Sequence, residues 1–146
     1  MPLYTVPVTS SALSTTNDTV TLVASSTKPL RVYMVDAKGM GTTSAANEIR
    51  VSRSSSGTTG GGAITPSPIN SGSGAASFAA YTTWSAQPTI GVTLWRLAVN
   101  ANGGIDKFVA IPGAEIQIPV SGQLSVRSLS GTSSVVVNLL VEEIDG

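Results

Sequence analysis

Glu48-Ile49-Arg50-Val51-Ser52-Arg53 alternates apolar and polar residues, and the chain then breaks into Ser54-Ser55-Ser56-Gly57-Thr58-Thr59-Gly60-Gly61-Gly62. It continues through Ala63-Ile64-Thr65-Pro66-Ser67-Pro68-Ile69-Asn70, crosses Ser71-Gly72-Ser73-Gly74, and is apolar again from Ala75 to Trp84. Alternation at period two marks a half-buried strand. Three consecutive glycines carry no side chain to pack, and Pro66 and Pro68 exclude both a helix and a central strand. The stretch reads as strand, long flexible excursion, strand. Such an excursion needs a scaffold to hold its two ends. Within the first strand, Ile49, Val51 and Arg53 share the inner face on strict alternation. Arg53 lies near the strand end, where it reaches water, and Glu48 and Arg50 point outward.

Toward the N-terminus, Leu30 to Ala37 is a strand with Leu30, Val32 and Met34 on one face. Thr19 to Ala24 alternates and is rich in β-branched residues, so it is another. Leu3 to Val8 alternates loosely around Pro7, which cannot donate to a ladder, and reads as an extended arm or edge strand over residues 1–9. Residues 10–146 then form a single domain. Toward the C-terminus, Ala75 to Trp84 admits a short helix at Ala75 to Ala80, but the β-formers Tyr81-Thr82-Thr83-Trp84 favour a strand. Further strands follow at Gly91 to Val99, Asp106 to Ile111, Ala114 to Pro119, Gln123 to Leu129 and Ser134 to Ile144. In the Gln123 strand Leu124 and Val126 lie opposite Ser125 and Arg127. About eight or nine strands at roughly ten-residue spacing, with no sustained helical period, predict an all-β antiparallel sandwich or barrel.

The last strand is apolar on both faces. Val135, Val137, Leu139 and Val141 share one; Val136, Leu140 and Ile144 reach the other, interrupted by Asn138. One face suits the core. The second needs its own cover, either a loop of this chain or a neighbouring subunit. Val136, Asn138 and Leu140, with Trp95 and Leu97, are therefore candidate subunit-interface residues.

Composition narrows the function classes. Charged residues are 11% of the 146, well under the usual quarter, and the net charge is zero. Lys28, Arg31, Lys38, Arg50, Arg53, Arg96, Lys107 and Arg127 are scattered, so no basic footprint for nucleic acid is present. With no cysteine there is no disulfide frame or thiolate chemistry. With no histidine the usual general base and commonest metal ligand are missing. Met1-Pro2-Leu3-Tyr4-Thr5 does not resemble a signal peptide, and no apolar run has membrane-spanning length.

The order of parts is similar to small jelly-roll proteins among the structural genes of tailed phages, of the trimeric capsid-decorating type. The resemblance rests on the strand ending Arg50 to Arg53, the Ser/Gly/Thr run, Ala63 to Asn70, and Thr82-Thr83-Trp84-Ser85-Ala86-Gln87-Pro88-Thr89. It continues in Phe108 to Pro112, Glu115-Ile116-Gln117-Ile118-Pro119, Gln123 to Arg127 and the Val-rich end, covering about Val20 to Glu143. These motifs are strand and turn punctuation rather than chemistry. The resemblance implies a jelly roll, a homotrimer, and a virion protein made in the bacterial cytoplasm and bound outside a shell of major capsid protein. Leu3, Tyr4, Val6 and Val8 are then candidate capsid contacts.

No enzymatic reading gathers support. The carboxylates Asp18, Asp36, Glu48, Asp106, Glu115, Glu142, Glu143 and Asp145 have no spacing that pairs them for sugar cleavage, and read as solvated charges. The Asn100 to Asp106 turn and the Glu142-Glu143-Ile144-Asp145 tail lack calcium-loop spacing. Gly57 to Gly62 lacks the lysine and the following helix of a phosphate loop. No catalytic residue, cofactor or metal is expected, nor a nucleic-acid or membrane partner. Trp84, Trp95, Tyr4, Tyr33 and Tyr81 are either core and interface aromatics or a sugar-stacking surface, which keeps a receptor- or carbohydrate-binding head of a phage fibre or tail as the alternative.

Overall fold

The computed structural model describes residues 2–144, all in strands and loops without an α-helix. None of the described residues forms a helix long and apolar enough to cross a membrane. Along the chain the strands are β1 (Leu3–Ala12), β2 (Val20–Val23), β3 (Leu30–Met40), β4 (Ala46–Ser55), β5 (Thr58–Gly60), β6 (Ala63–Ile64) and β7 (Ser67–Pro68). After these come β8 (Ala79–Tyr81), β9 (Trp84–Ala86), β10 (Thr89–Asn100), β11 (Asn102–Val109), β12 (Ile116–Ile118), β13 (Gln123–Ser130) and β14 (Ser134–Glu143).

They form two antiparallel sheets and one small ribbon. The first sheet has the order β11-β3-β14-β1-β7, with β12 continuing β11 along β3. The second has the order β10-β4-β13-β2-β8-β6, and β5 pairs β9 apart from both. The frame strands in chain order are β1, β2, β3, β4, β10, β11 with β12, β13 and β14. The first sheet then places the first, last, third and sixth side by side, and the second places the second, seventh, fourth and fifth. This is the double Greek-key arrangement of a jelly roll. The all-β antiparallel sandwich expected from strand spacing is the observed fold.

The core lies between the sheets and follows the alternation of the sequence. Val135, Val137, Leu139 and Val141 of β14 face Leu124 and Val126 of β13 and Ile49 and Val51 of β4, all buried. Each such side chain contributes about 1.5–3 kcal/mol on leaving water. Gly39 sits where β3 passes beneath the β10–β11 connection. A Cβ there would stand 2.1 Å from the Asn100 carbonyl oxygen, so only glycine fits.

Three expectations change. Of the two readings of residues 3–9, arm or edge strand, the structure takes the second: β1 pairs β14 along most of its length and the two-residue β7 only at Tyr4 and Thr5. Only its far portion is a sheet edge. Tyr4, Val6 and Val8 are buried in the core, so they are not available as capsid contacts; Leu3, half-buried on the outer face, still is. Leu97 belongs to the same core and is not an interface residue. Finally, the 54–74 excursion folds back as β5, β6 and β7 instead of hanging free, because its backbone groups find partners in β9, β8 and β1, and of the strand expected over Ala75 to Trp84 only β8 and the start of β9 form. Met1 and Asp145 lie outside the described residues.

Candidate functional site

Two surfaces of the sandwich carry apolar side chains. The first is the outer face of the first sheet. The strand registers set it in rows: Ile105, Lys38 and Val136; then Lys107, Asp36, Asn138 and Pro7; then Val109, Met34, Leu140 and Thr5. Val136, Asn138 and Leu140 therefore share this face, as the alternation of β14 predicts, and they are half-buried within a single chain. Ile105 and Val109 are 64% and 57% exposed. The Asn138 backbone N–H and Nδ2 both donate to Asp36 Oδ1, at 3.2 and 3.1 Å, which fixes the polar row between the Val136 row, with Lys38 at its centre, and the more apolar Leu140 row.

A shallow depression of about 370 Å³ opens in this face, lined by Leu3, Tyr33, Met34, Val109, Ala110, Leu140 and Glu142. The register slips by one residue opposite Leu140 and Val141, leaving Tyr33 unpaired against β14. That bulge turns Tyr33 toward Glu142, and its hydroxyl donates to Glu142 Oε2 at 2.5 Å. The hydrogen bond to the carboxylate holds the phenol in its neutral form and raises its pKa, with desolvation adding to the effect. Arg31 Nη1 approaches the same oxygen at 3.7 Å.

The second surface is a groove of about 530 Å³ at the mouth between the sheets, lined by Arg53, Leu94, Trp95, Phe108, Ala114, Glu115, Ile116 and Gln117. Here β10 bulges twice: Thr93 pairs Ser52 and Trp95 pairs Val51, so Leu94 is extra. The bulge brings consecutive residues Leu94 and Trp95 into one groove, and Trp95 remains 46% exposed. Its ring tilts against Phe108 at 5.2 Å between centroids. Arg53 follows the inner face of β4, as strict alternation requires. Exposed at the strand end, it reaches across to donate from Nη1 to the Gln117 carbonyl at 2.7 Å.

Residues 82–88 lie over the β2 and β13 part of the outer face of the second sheet, and beneath them lies a polar layer the sequence did not announce. Asp18 is buried and accepts from Thr21 Oγ1 at 2.5 Å, Ser125 Oγ at 2.5 Å and Arg127 Nε at 2.6 Å. Arg127 Nη2 donates onward to the Pro88 carbonyl at 3.0 Å, and Trp84 Nε1 donates to Thr21 Oγ1 at 3.0 Å. Asp18 is thus not a solvated charge. Neither are Glu142 and Glu143: Glu143 accepts from the Ser77 backbone N–H at 2.9 Å and from the Ser77 hydroxyl. Asp18 and Glu143 tie loops to sheets, and Glu142 ties β14 to β3. The clue was the Ser125/Arg127 face of β13, polar yet opposite a core face, which needs an anion if it is covered. No group of three metal-ligating side chains occurs among the described residues.

The five candidate stacking aromatics separate accordingly. Tyr4 is in the core, edge-on to Phe78 at 5.6 Å. Tyr81 packs against Trp84 at 5.1 Å, and Trp84 lies over the Gly57 backbone. Tyr33 is engaged by Glu142. Of these five, Trp95 is the one that stands open to solvent. In comparisons with known proteins no family model, curated protein or solved structure matches this chain.

Proposed function

We propose that this chain is a non-enzymatic virion structural protein, a homotrimeric jelly roll that binds the outside of a phage shell and reinforces it. The observation that carries the reading is the banded outer face of the β11-β3-β14-β1 sheet. On it Ile105 and Val109 are exposed and Met34, Val136 and Leu140 are only half-buried by the chain itself. Apolar side chains interspersed with polar ones, the polar row held by hydrogen bonds, suit a subunit contact of mixed make-up. The low charge fits a protein held among neighbours by packing. The strand order agrees with the jelly roll that the sequence resemblance implies. Stabilisation works by mass action, since a protein that binds only the assembled shell shifts the equilibrium toward it.

Co-sedimentation with empty phage shells tests this. The expected result is saturable binding, little changed by salt, with a rise in shell melting temperature. Shells that sediment without the protein at micromolar concentrations would remove the reading. The alternative, a carbohydrate- or receptor-binding head of a fibre or tail, is favoured by the open Trp95 groove.

A further inference from the structure

The Trp95 groove has features that a subunit contact does not require. The aromatic ring is aimed by a β-bulge, half-open to solvent, and held at a fixed tilt by Phe108. Arg53 is held by its bond to the Gln117 carbonyl, while Glu115 and Gln117 stand on the opposite rim. A second groove of about 450 Å³ continues past Arg53 and Gln117 to Pro29, Ile118, Pro119 and Ile144. The edge itself is ill-suited to adding a strand. Two bulges interrupt β10, and Asp106 Oδ2 accepts the Ala98 backbone N–H at 3.0 Å.

We propose that this double groove binds a neutral oligosaccharide, one pyranose ring stacking on Trp95 and the chain running past Arg53 toward Pro29. A pyranose has one apolar C–H face and a rim of hydroxyls that both donate and accept. Trp95 with Leu94 and Phe108 matches the face; Arg53 as donor, Glu115 as acceptor and Gln117 as both match the rim. The groove carries one cation and one anion, so it offers no net charge for a nucleotide phosphate. It is open and carries polar side chains on its rim, which suits a ligand that stays largely hydrated. Because Trp95 and Arg53 are already placed, little ordering cost opposes binding.

The test is titration of the full chain, in its native association state, with glucose, galactose and mannose and with hexaoses of glucan, galactan and mannan. Binding is read by calorimetry and by the Trp95 indole N–H resonance. The expected result is a saturable shift of that resonance with at least one hexaose, tighter than with its monosaccharide. Trp95→Ala should weaken binding about tenfold or more, the scale of one lost stacking contact. Trp95→Phe should restore part of it. If Trp95→Ala does not fold, Glu115→Ala on the rim supplies the same comparison. No shift with any sugar at 10 mM, roughly the weak limit of useful recognition, overturns the site. Equal binding of monosaccharide and hexaose overturns the two-groove path. A trimer that binds no sugar leaves the shell reading intact, whereas a sugar-binding monomer sustains this site alone.

Discussion

Asp18 receives side-chain donors from three residues under the 82–88 segment, and one of them is the nearly buried guanidinium of Arg127, 11% exposed. Removing one partner of such a pair leaves an uncompensated charge away from water, which costs about 3 kcal/mol or more. Asp18→Asn should therefore lower the urea midpoint by about 2 M, taking a slope of about 1.5 kcal/mol per molar. Asp18→Asn combined with Arg127→Met should recover much of that loss, because both ends of the pair are then neutral. A single-mutant shift below about 0.5 M would mean that water reaches Arg127 in solution. A double mutant as unstable as the single would place the cost in the lost hydroxyl bonds instead.

At the level of elements, β1 decides whether the N-terminal segment is an appendage or part of the frame. It supplies Tyr4, Val6 and Val8 to the core and a full ladder to β14. Three side chains at about 2 kcal/mol each approach the whole stability of an ordinary domain. Deleting residues 1–8 should abolish cooperative unfolding and near-ultraviolet circular dichroism, not merely weaken a contact. A truncated chain that keeps a sharp melting transition would show that β14 is content as an edge. The same element shows what the sequence makes legible. Alternation identified β3, β4, β10, β13 and the two-faced character of β14, because period-two patterning is local. It placed Arg53 correctly for the same reason. It missed that Leu3, Thr5 and Pro7 face outward while the residues between them are core, since the choice between arm and strand depends on whether β14 accepts a partner. It took the glycine-rich excursion for a free connection, because the bonds that order it come from β1, β8 and β9, outside the excursion itself. Of the candidate interface, Val136, Asn138 and Leu140 were legible from alternation. The Trp95 groove was not, because a bulge is a property of two strands together.

On the scale of the whole molecule, the two edges of the sandwich are treated differently. One is extended by the short strands β6, β7 and β8 of the excursion. The other ends at β10 and β11, where Val92, Ile105 and Val109 are exposed. A chain with one finished edge and one apolar edge beside an apolar face suits a ring, in which each copy offers a different surface to each neighbour. Light scattering should then give three times the 14.8 kDa of one chain. The mass should be unaffected by salt, since no net charge opposes association and packing is not screened. Leu140→Asp places a carboxylate in the centre of the apolar row, where burial without a partner is costly. It should return the protein to a monomer with unchanged circular dichroism. If the variant keeps the trimeric mass, the outer face of the first sheet is free in the assembly and the shared contact lies at the β10–β11 edge. If the unaltered protein stays monomeric at tens of micromolar, where roughly 6 kcal/mol of association would already show, copies meet only on a shell. The banded face would then be the surface that touches it.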